Sequence, residues 1–159
     1  MASDIVAGMP QLAHAGSMEG LIAVAHIAGK ASGRIKKSLI PGCTYTEPEI
    51  GSVGMTEAQA KEAGKDFKVG KFKLGGVGAG AVYDDRDGMV KIVADKEYGE
   101  ILGAHIVGNR ACDMIAELVA IKDLEGGYQE LARIVHPHPT ISEAILDAAR
   151  AVDGWATHA

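Results

Sequence analysis

Ten residues near the end of the chain, Ile134-Val135-His136-Pro137-His138-Pro139-Thr140-Ile141-Ser142-Glu143, hold the densest chemistry in the sequence. A proline pushes the residue before it into extended backbone. His136 and His138 are therefore expected to be extended, with both side chains on the same side. Thr140 is expected to open a helix, with Glu143 in its first turn. Three kinds of chemistry fit these types at this spacing. The first is a capping box, in which Thr140 and Glu143 satisfy each other's backbone amides. The second is a metal site, since an H-x-H pair on one face can bind zinc, with Glu143, His105 or His14 available as a third ligand. The third is a histidine–carboxylate dyad. A carboxylate beside an imidazole fixes its tautomer and makes it a better base near neutral pH. Such a base could take a proton from a thiol or hold a thiolate by charge attraction. One carboxyl group has two oxygens, so cap and dyad can share Glu143.

Other candidates carry less. Cys43 and Cys112 are distant in sequence and belong to no C-x-x-C or zinc-type cluster. They read as two buried, reduced thiols, with a disulfide left open. The run Gly75-Gly76-Val77-Gly78-Ala79-Gly80 is rich in glycine but lacks G-x-G-x-x-G spacing, and no helix pattern follows it. It is not expected to bind phosphate. Arg34-Ile35-Lys36-Lys37 is a short basic cluster, read as a solvated loop. The net charge of −5 argues against nucleic acid as a partner. No run of 18 apolar residues occurs, so no transmembrane helix is expected. The opening residues Met1 to Asp4 show no secretory pattern.

The elements that must position these residues fall in a clear order. Residues 11–29 read as a helix, apolar or small almost all round and therefore expected to be buried on most sides, ended by Gly29 and Ser32-Gly33. Residues 30–42 are a connector with a Pro41-Gly42 turn signal. Short extended pieces at 43–46 and 50–54 precede a capping box, Thr56 to Gln59, which opens a helix running to Ala63. Phe67, Val69, Lys71 and Phe72 mark a strand. Strands 89–94 and 101–107 flank a polar hairpin connection. Helices are expected at 111–123, 128–133 and 140–152. Strands in a run followed by helices in a run predict an α+β domain, with an antiparallel sheet of about five strands and helices packed on one face. Scarce aromatics mean a core of Ala, Val, Ile and Leu. The last helix offers Ala144, Ile145, Ala148, Ala149 and Val152, either to its own sheet or to a dimer interface.

The segment His138-Pro139-Thr140-Ile141-Ser142-Glu143 closely resembles the H-P-T-x-S-E signature of the flavoprotein disulfide reductases. Tyr45-Thr46-Glu47-Pro48-Glu49, followed by Val53-Gly54, resembles the Y-T-x-P-E-x-x-x-V-G segment of that family. Gly88-Met89-Val90-Lys91, then Ile101-Leu102-Gly103-Ala104-His105 with Gly108, resembles its G-x-x-K and I-L-G-x-H-x-x-G segments. Four segments coincide in the family's order and intervals, over nearly the whole chain. His136, two positions before His138, is similar to the pattern in the dihydrolipoamide dehydrogenase branch. Glutathione- and mercury-reductase-like branches, or a non-catalytic dimerisation module, remain the alternatives.

The resemblance implies that residues 41–159 form the C-terminal interface domain of such an enzyme. Residues 1–40 would then be the last part of its FAD-binding domain, including the helix at 11–29. It implies a homodimer in which His138 is the acid–base residue and Glu143 orients it, serving the disulfide and flavin of the other subunit. It implies FAD and NAD as cofactors of the parent enzyme, and dihydrolipoamide as substrate, presented on lipoyl domains of 2-oxoacid dehydrogenase complexes. Ala2-Ser3-Asp4 resembles an A-x-G-D segment whose Asp contacts the flavin's ribityl chain. Leu12, Ala13 and His14 resemble the stretch whose backbone amides face the flavin ring. A role in cell redox homeostasis follows, in the cytoplasm or, in a eukaryote, the mitochondrial matrix. The chain departs from the family at Ser3, where glycine is usual, and at Pro137, where a small residue is usual. It contains no G-x-G-x-x-G and no C-x-x-x-x-C pair. It is therefore expected to be a fragment that neither binds FAD tightly, nor holds a metal, nor turns over alone.

Overall fold

Apolar residues at alternate positions of 89–107 build the centre of a sheet, because successive strand side chains point to opposite faces. The computed structural model describes residues 3–84 and 86–158; Ala2, the first residue of the segment compared with A-x-G-D, lies outside them. The chain divides into two compact units, Met1–Ile40 and Pro41–Ala159.

The first unit holds helix α1, Ala13–Ile27, with short 3-10 turns at Ser3–Ile5 and Lys37–Leu39. Gly29 adopts φ 66° just past the helix end, and the Lys30 amide donates back to the Ala25 carbonyl at 2.9 Å. That is the left-handed stop expected of a glycine. The burial expected on most sides of α1 is not found. Only Ala15 and Gly16 are buried, while Leu21, Val24 and Ile27 are exposed. A single helix in a forty-residue unit has too little protein around it to cover its apolar sides.

The second unit is a five-stranded antiparallel sheet in the order β1-β2-β5-β4-β3, built from Gly42–Thr44, Ile50–Gly54, Phe67–Lys73, Met89–Asp95 and Ile101–Val107 for β1 to β5. One face carries Val90, Ile92, Ala94, Ile101, Ala104 and Ile106, all fully buried. Helices α4 (Ala111–Asp123), α5 (Tyr128–Leu131) and α6 (Glu143–Ala151) cover that face. The α+β architecture inferred from element order is the one observed. Ala144, Ile145, Ala148 and Ala149 are all fully buried, with α6 lying on β3 and β4. That apolar face is spent on the chain's own sheet and is not available to a dimer partner.

The opposite face of the sheet is covered at one place by α2, Glu57–Glu62, which contributes Ala60 to a small cluster with Val93 and Leu102. The register slips between Val93 and Ala94. The extra residue, Leu102, is thereby turned to the α2 side, as a bulge does. The Thr56–Gln59 capping box forms with both halves, Gln59 N–H to Thr56 Oγ1 at 3.2 Å and Thr56 N–H to Gln59 Oε1 at 2.9 Å. Between β3 and β4 the glycine-rich run makes a 3-10 turn, Leu74–Gly76, and a short helix α3, Gly78–Val82. No helix was expected here, since Gly-Ala-Gly is a poor helix former. Tertiary burial of Ala79 and Gly80 overrides that preference.

Candidate functional site

The connection from α5 to α6 carries both histidines. It does not hold them as their spacing suggested. The His136 ring turns inward, with 3% of its side chain exposed, and bonds through Nε2 to Glu117 Oε1 at 2.9 Å. Its Nδ1 lies 3.1 Å from the Ile134 carbonyl. The His138 ring turns outward, with 70% of its side chain exposed. The same-side expectation fails because each imidazole is drawn to a different carboxylate, one on α4 and one on α6.

Glu143, the first residue of α6, is 7% exposed and divides its two oxygens. Oε1 lies 2.9 Å from His138 Nδ1, and Oε2 accepts the Thr140 N–H at 2.9 Å. The backbone half of the expected capping box is present. The other half is not, because the Thr140 hydroxyl donates to the Pro137 carbonyl at 2.7 Å and meets Ser142 Oγ at 2.9 Å. The helix begins three residues later than expected, with Ser142 as N-cap. Burial pushes the Glu143 carboxyl upward, but the Thr140 amide and the His138 ring more than offset it, so the group ends below its ordinary range. A carboxylate at Oε1 can only accept, so the proton between the pair sits on His138 Nδ1. Nε2 is left as the acceptor on the exposed edge of the ring. This geometry suits proton transfer at Nε2.

His138 Cε1 lies 3.7 Å from where a β-carbon on Gly78 would be, so α3 borders the ring. An open groove of about 360 Å³ runs beside the loop, between Pro139–Ser142 and Tyr83, Arg110, Asp113 and Glu117. Among the described residues no group of three or more His, Cys, Asp or Glu side chains converges. His136 and His138 part company, so the H-x-H pair does not offer a metal two ligands on one face.

Glu117 is the site residue that sequence reasoning missed. It stands 19 positions before His136, on a different element, and no local pattern links the two. Its hydrogen bond holds His136 above an ordinary imidazole value, against the opposing effect of burial. A raised histidine stabilises the fold fully below its unfolded value near 6.5 and loses that contribution as pH rises through the folded value. Wild-type chain should therefore exceed the Glu117→Gln variant by about 2 kcal/mol at pH 6, with the gap shrinking toward pH 9. Urea denaturation of both proteins at the two pH values checks this; an equal gap at both contradicts it. Glu143 carries the opposite sign, since its depressed carboxyl stabilises above its unfolded value near 4.3 and loses that as the pH falls below it.

The other motif residues turn out to hold the scaffold. Glu49 Oε2 accepts the Cys112 N–H at 3.0 Å, capping the start of α4. Lys91 pairs with Glu57 of α2 at 2.7 Å, and His105 Nε2 lies 3.0 Å from the Met55 carbonyl. The His105 ring is thus engaged at Met55, and no cluster of three or more potential ligands forms around it among the described residues. Of the residues matched to a flavin contact, Asp4 is exposed in the first 3-10 turn, Leu12 is the N-cap of α1, and Ala13 and His14 form its first turn. A helix start of this kind presents backbone amides.

Residues 40–149 match the pyridine nucleotide-disulphide oxidoreductase dimerisation domain, and the chain belongs to that family. It is 46% identical over 155 residues to dihydrolipoyl dehydrogenase of Bacillus subtilis, covering 98% of this chain and 32% of that protein. It is 40% identical over 148 residues to the mitochondrial dihydrolipoyl dehydrogenase of Pisum sativum, covering 93% of this chain and 29% of that one. Among solved structures, LpdA of Mycobacterium tuberculosis superposes with a TM-score of 0.84 at 25% identity, over 90% of this chain and 31% of its own. The HOCl-induced flavoprotein disulfide reductase RclA of Escherichia coli superposes with a TM-score of 0.74 at 26% identity, over 82% and 30%. The chain thus spans about a third of the length of the relatives it matches. No helix among the described residues is long and apolar enough to cross a membrane.

Proposed function

We propose that this chain is the dimerisation segment of a dihydrolipoyl dehydrogenase, residues 41–159 forming the interface domain and residues 1–40 the end of the FAD-binding domain. In it, His138 is the acid–base residue for a disulfide site on the partner subunit, and Glu143 fixes its tautomer and aim. The parent enzyme uses FAD and NAD to oxidise dihydrolipoamide carried on lipoyl domains, in the cytoplasm or the mitochondrial matrix. In that enzyme Asp4 and the Leu12–His14 turn lie along the flavin. The carrying observation is the 2.9 Å bond from His138 Nδ1 to a nearly buried Glu143, with the rest of the ring in the open.

The chemistry follows from that bond. A dihydrolipoamide thiol reaching Nε2 gives up its proton and becomes the thiolate that attacks a disulfide. The imidazolium so formed stays paired with Glu143, which spreads its charge. FAD, when bound in the parent enzyme, supplies the electron transfer to the nicotinamide. The His138 ring lies on an exposed rim, 70% exposed itself, with Val135 at 93%, Val82 at 72% and Tyr83 at 62%. Apolar residues at such exposure around a catalytic group suit a site closed by a second copy.

Subunit mixing tests the trans arrangement. One full-length subunit carries His138→Gln, and the other has its redox cysteines replaced. Each homodimer should be inactive, while a random mixture should recover roughly a quarter of wild-type activity, because only one site per heterodimer is intact. No recovery would place His138 and the cysteines in the same subunit.

A further inference from the structure

We propose that Cys43 and Cys112 are a redox-active dithiol, a modification site at which a small-molecule disulfide closes an intrachain bond between β1 and α4. The fold brings together two thiols that the sequence keeps far apart. Cys43 stands opposite Gly51 in the β1–β2 ladder, so the two share a face of the sheet. A β-carbon at Gly51 would lie 2.4 Å from the Ala111 carbonyl oxygen and 3.1 Å from Ile115 Cβ. That face therefore looks straight at the first turn of α4, and the missing side chain of Gly51 lets the helix come this close. Cys112 is the second residue of α4. Its Sγ lies 3.7 Å from the Thr44 carbonyl and 3.7 Å from the Ile50 carbonyl, beside the backbone that flanks Cys43. The Glu49 carboxylate fixes this end of the helix through the Cys112 amide. Both cysteines are free and partly accessible, so a small oxidant can reach them.

The order of events follows from the surroundings. Burial first, and then the neighbouring Cys43, push the Cys112 thiol up to about 11, so Cys112 keeps its proton at neutral pH. Cys43, on the edge strand β1, makes the first attack on one sulfur of a glutathione-type disulfide, and its proton passes to solvent. One small thiolate leaves and a mixed disulfide forms on Cys43. The released thiolate takes the proton of Cys112, whose sulfur then attacks the Cys43 sulfur of the mixed disulfide and expels the second small thiolate, which takes up from solvent the proton that Cys43 gave up. One small disulfide is reduced to two thiols, and two protein thiols are oxidised to one disulfide. The step uses neither His138 nor Glu143, so it stands apart from the proposed function.

The test is incubation of the full chain with oxidised glutathione, followed by thiol counting in denaturant and peptide mass spectrometry. The expected result is a fall from two thiols to none per chain, with a Cys43–Cys112 linked peptide pair, monomeric on a non-reducing gel and reversed by dithiothreitol. Cys112→Ser should halt at a glutathione adduct on Cys43. Two thiols remaining after treatment, adducts that persist separately on both cysteines of the wild type, or links between chains would each overturn the proposal.

Discussion

Glutamine in place of His138, in a full-length enzyme carrying this chain as its dimerisation segment, should lower turnover with dihydrolipoamide about 10²–10⁴-fold, the span of general acid–base catalysis. It should leave stability within about 0.5 kcal/mol of wild type. The separation of the two effects is the point. The ring is 70% exposed and makes a single bond to its own chain's carboxylate, so little folding energy depends on it. Glu143 should behave differently. Its carboxylate serves the Thr140 amide as well as the imidazole, so Glu143→Ala should cost about 1–2 kcal/mol of stability in addition to activity. Glu143→Gln keeps one acceptor oxygen but turns an N–H toward whichever partner loses it. If the imidazole loses, Nδ1 becomes the acceptor and the proton moves to Nε2, the atom that must stay open. Steady-state rates and urea midpoints for the three variants separate a catalytic histidine from a merely structural one. Equal, small activity losses in all three would contradict the assignment.

Alanine at Gly103 should cost about 3 kcal/mol or more, a large effect for so small a change. A β-carbon there would lie 2.0 Å from the Met55 carbonyl oxygen and 2.6 Å from the Met55 nitrogen. Both are backbone atoms. They cannot swing aside as a side chain would, so the β2–α2 connection must be pushed off β5. The bond from His105 to the same Met55 carbonyl would stretch with it. Gly78→Ala is the natural control. Its β-carbon would meet only His138 Cε1, at an ordinary 3.7 Å, and alanine favours helix over glycine. It should be neutral or slightly stabilising. Chemical denaturation of the two variants gives the comparison, and similar costs for both would refute the close-approach explanation.

These two glycines show what the sequence could and could not tell. The family-like segments around Glu49, Lys91, Gly103 and His105 identified the family as readily as the His138 segment did. In the structure they hold a helix end, an ion pair from β4 to α2 and a backbone contact. Type and spacing signal a constraint without saying whether it is chemical or steric. Strands β4 and β5 and helix α4 were legible because apolar periodicity is a local property. The His138–Glu143 contact was one of the readings the spacing left open, since the two residues stand five apart and one carboxyl has two oxygens to divide; the resemblance to the family favoured it over a cap alone or a metal. Glu117 was not legible, because its pairing with His136 is made by the packing of α4 against a later loop. Nor was the closeness of Cys43 and Cys112, which depends on Gly51 letting the helix down onto the sheet. Helix α3 was missed because burial, not propensity, decides it. The apolar face of α6 had two possible partners in sequence, and the sheet took it.

The ¹⁵N chemical shifts of His138 in the full chain, followed across neutral pH, test the dyad most directly. A proton held on Nδ1 by Glu143 gives a neutral ring in the Nδ1–H form, opposite to the form free histidine favours, and Glu143→Ala should return it to the usual mixture. A wild-type ring found mainly as Nε2–H, or one indifferent to the loss of Glu143, would contradict the reading of this site as an oriented base.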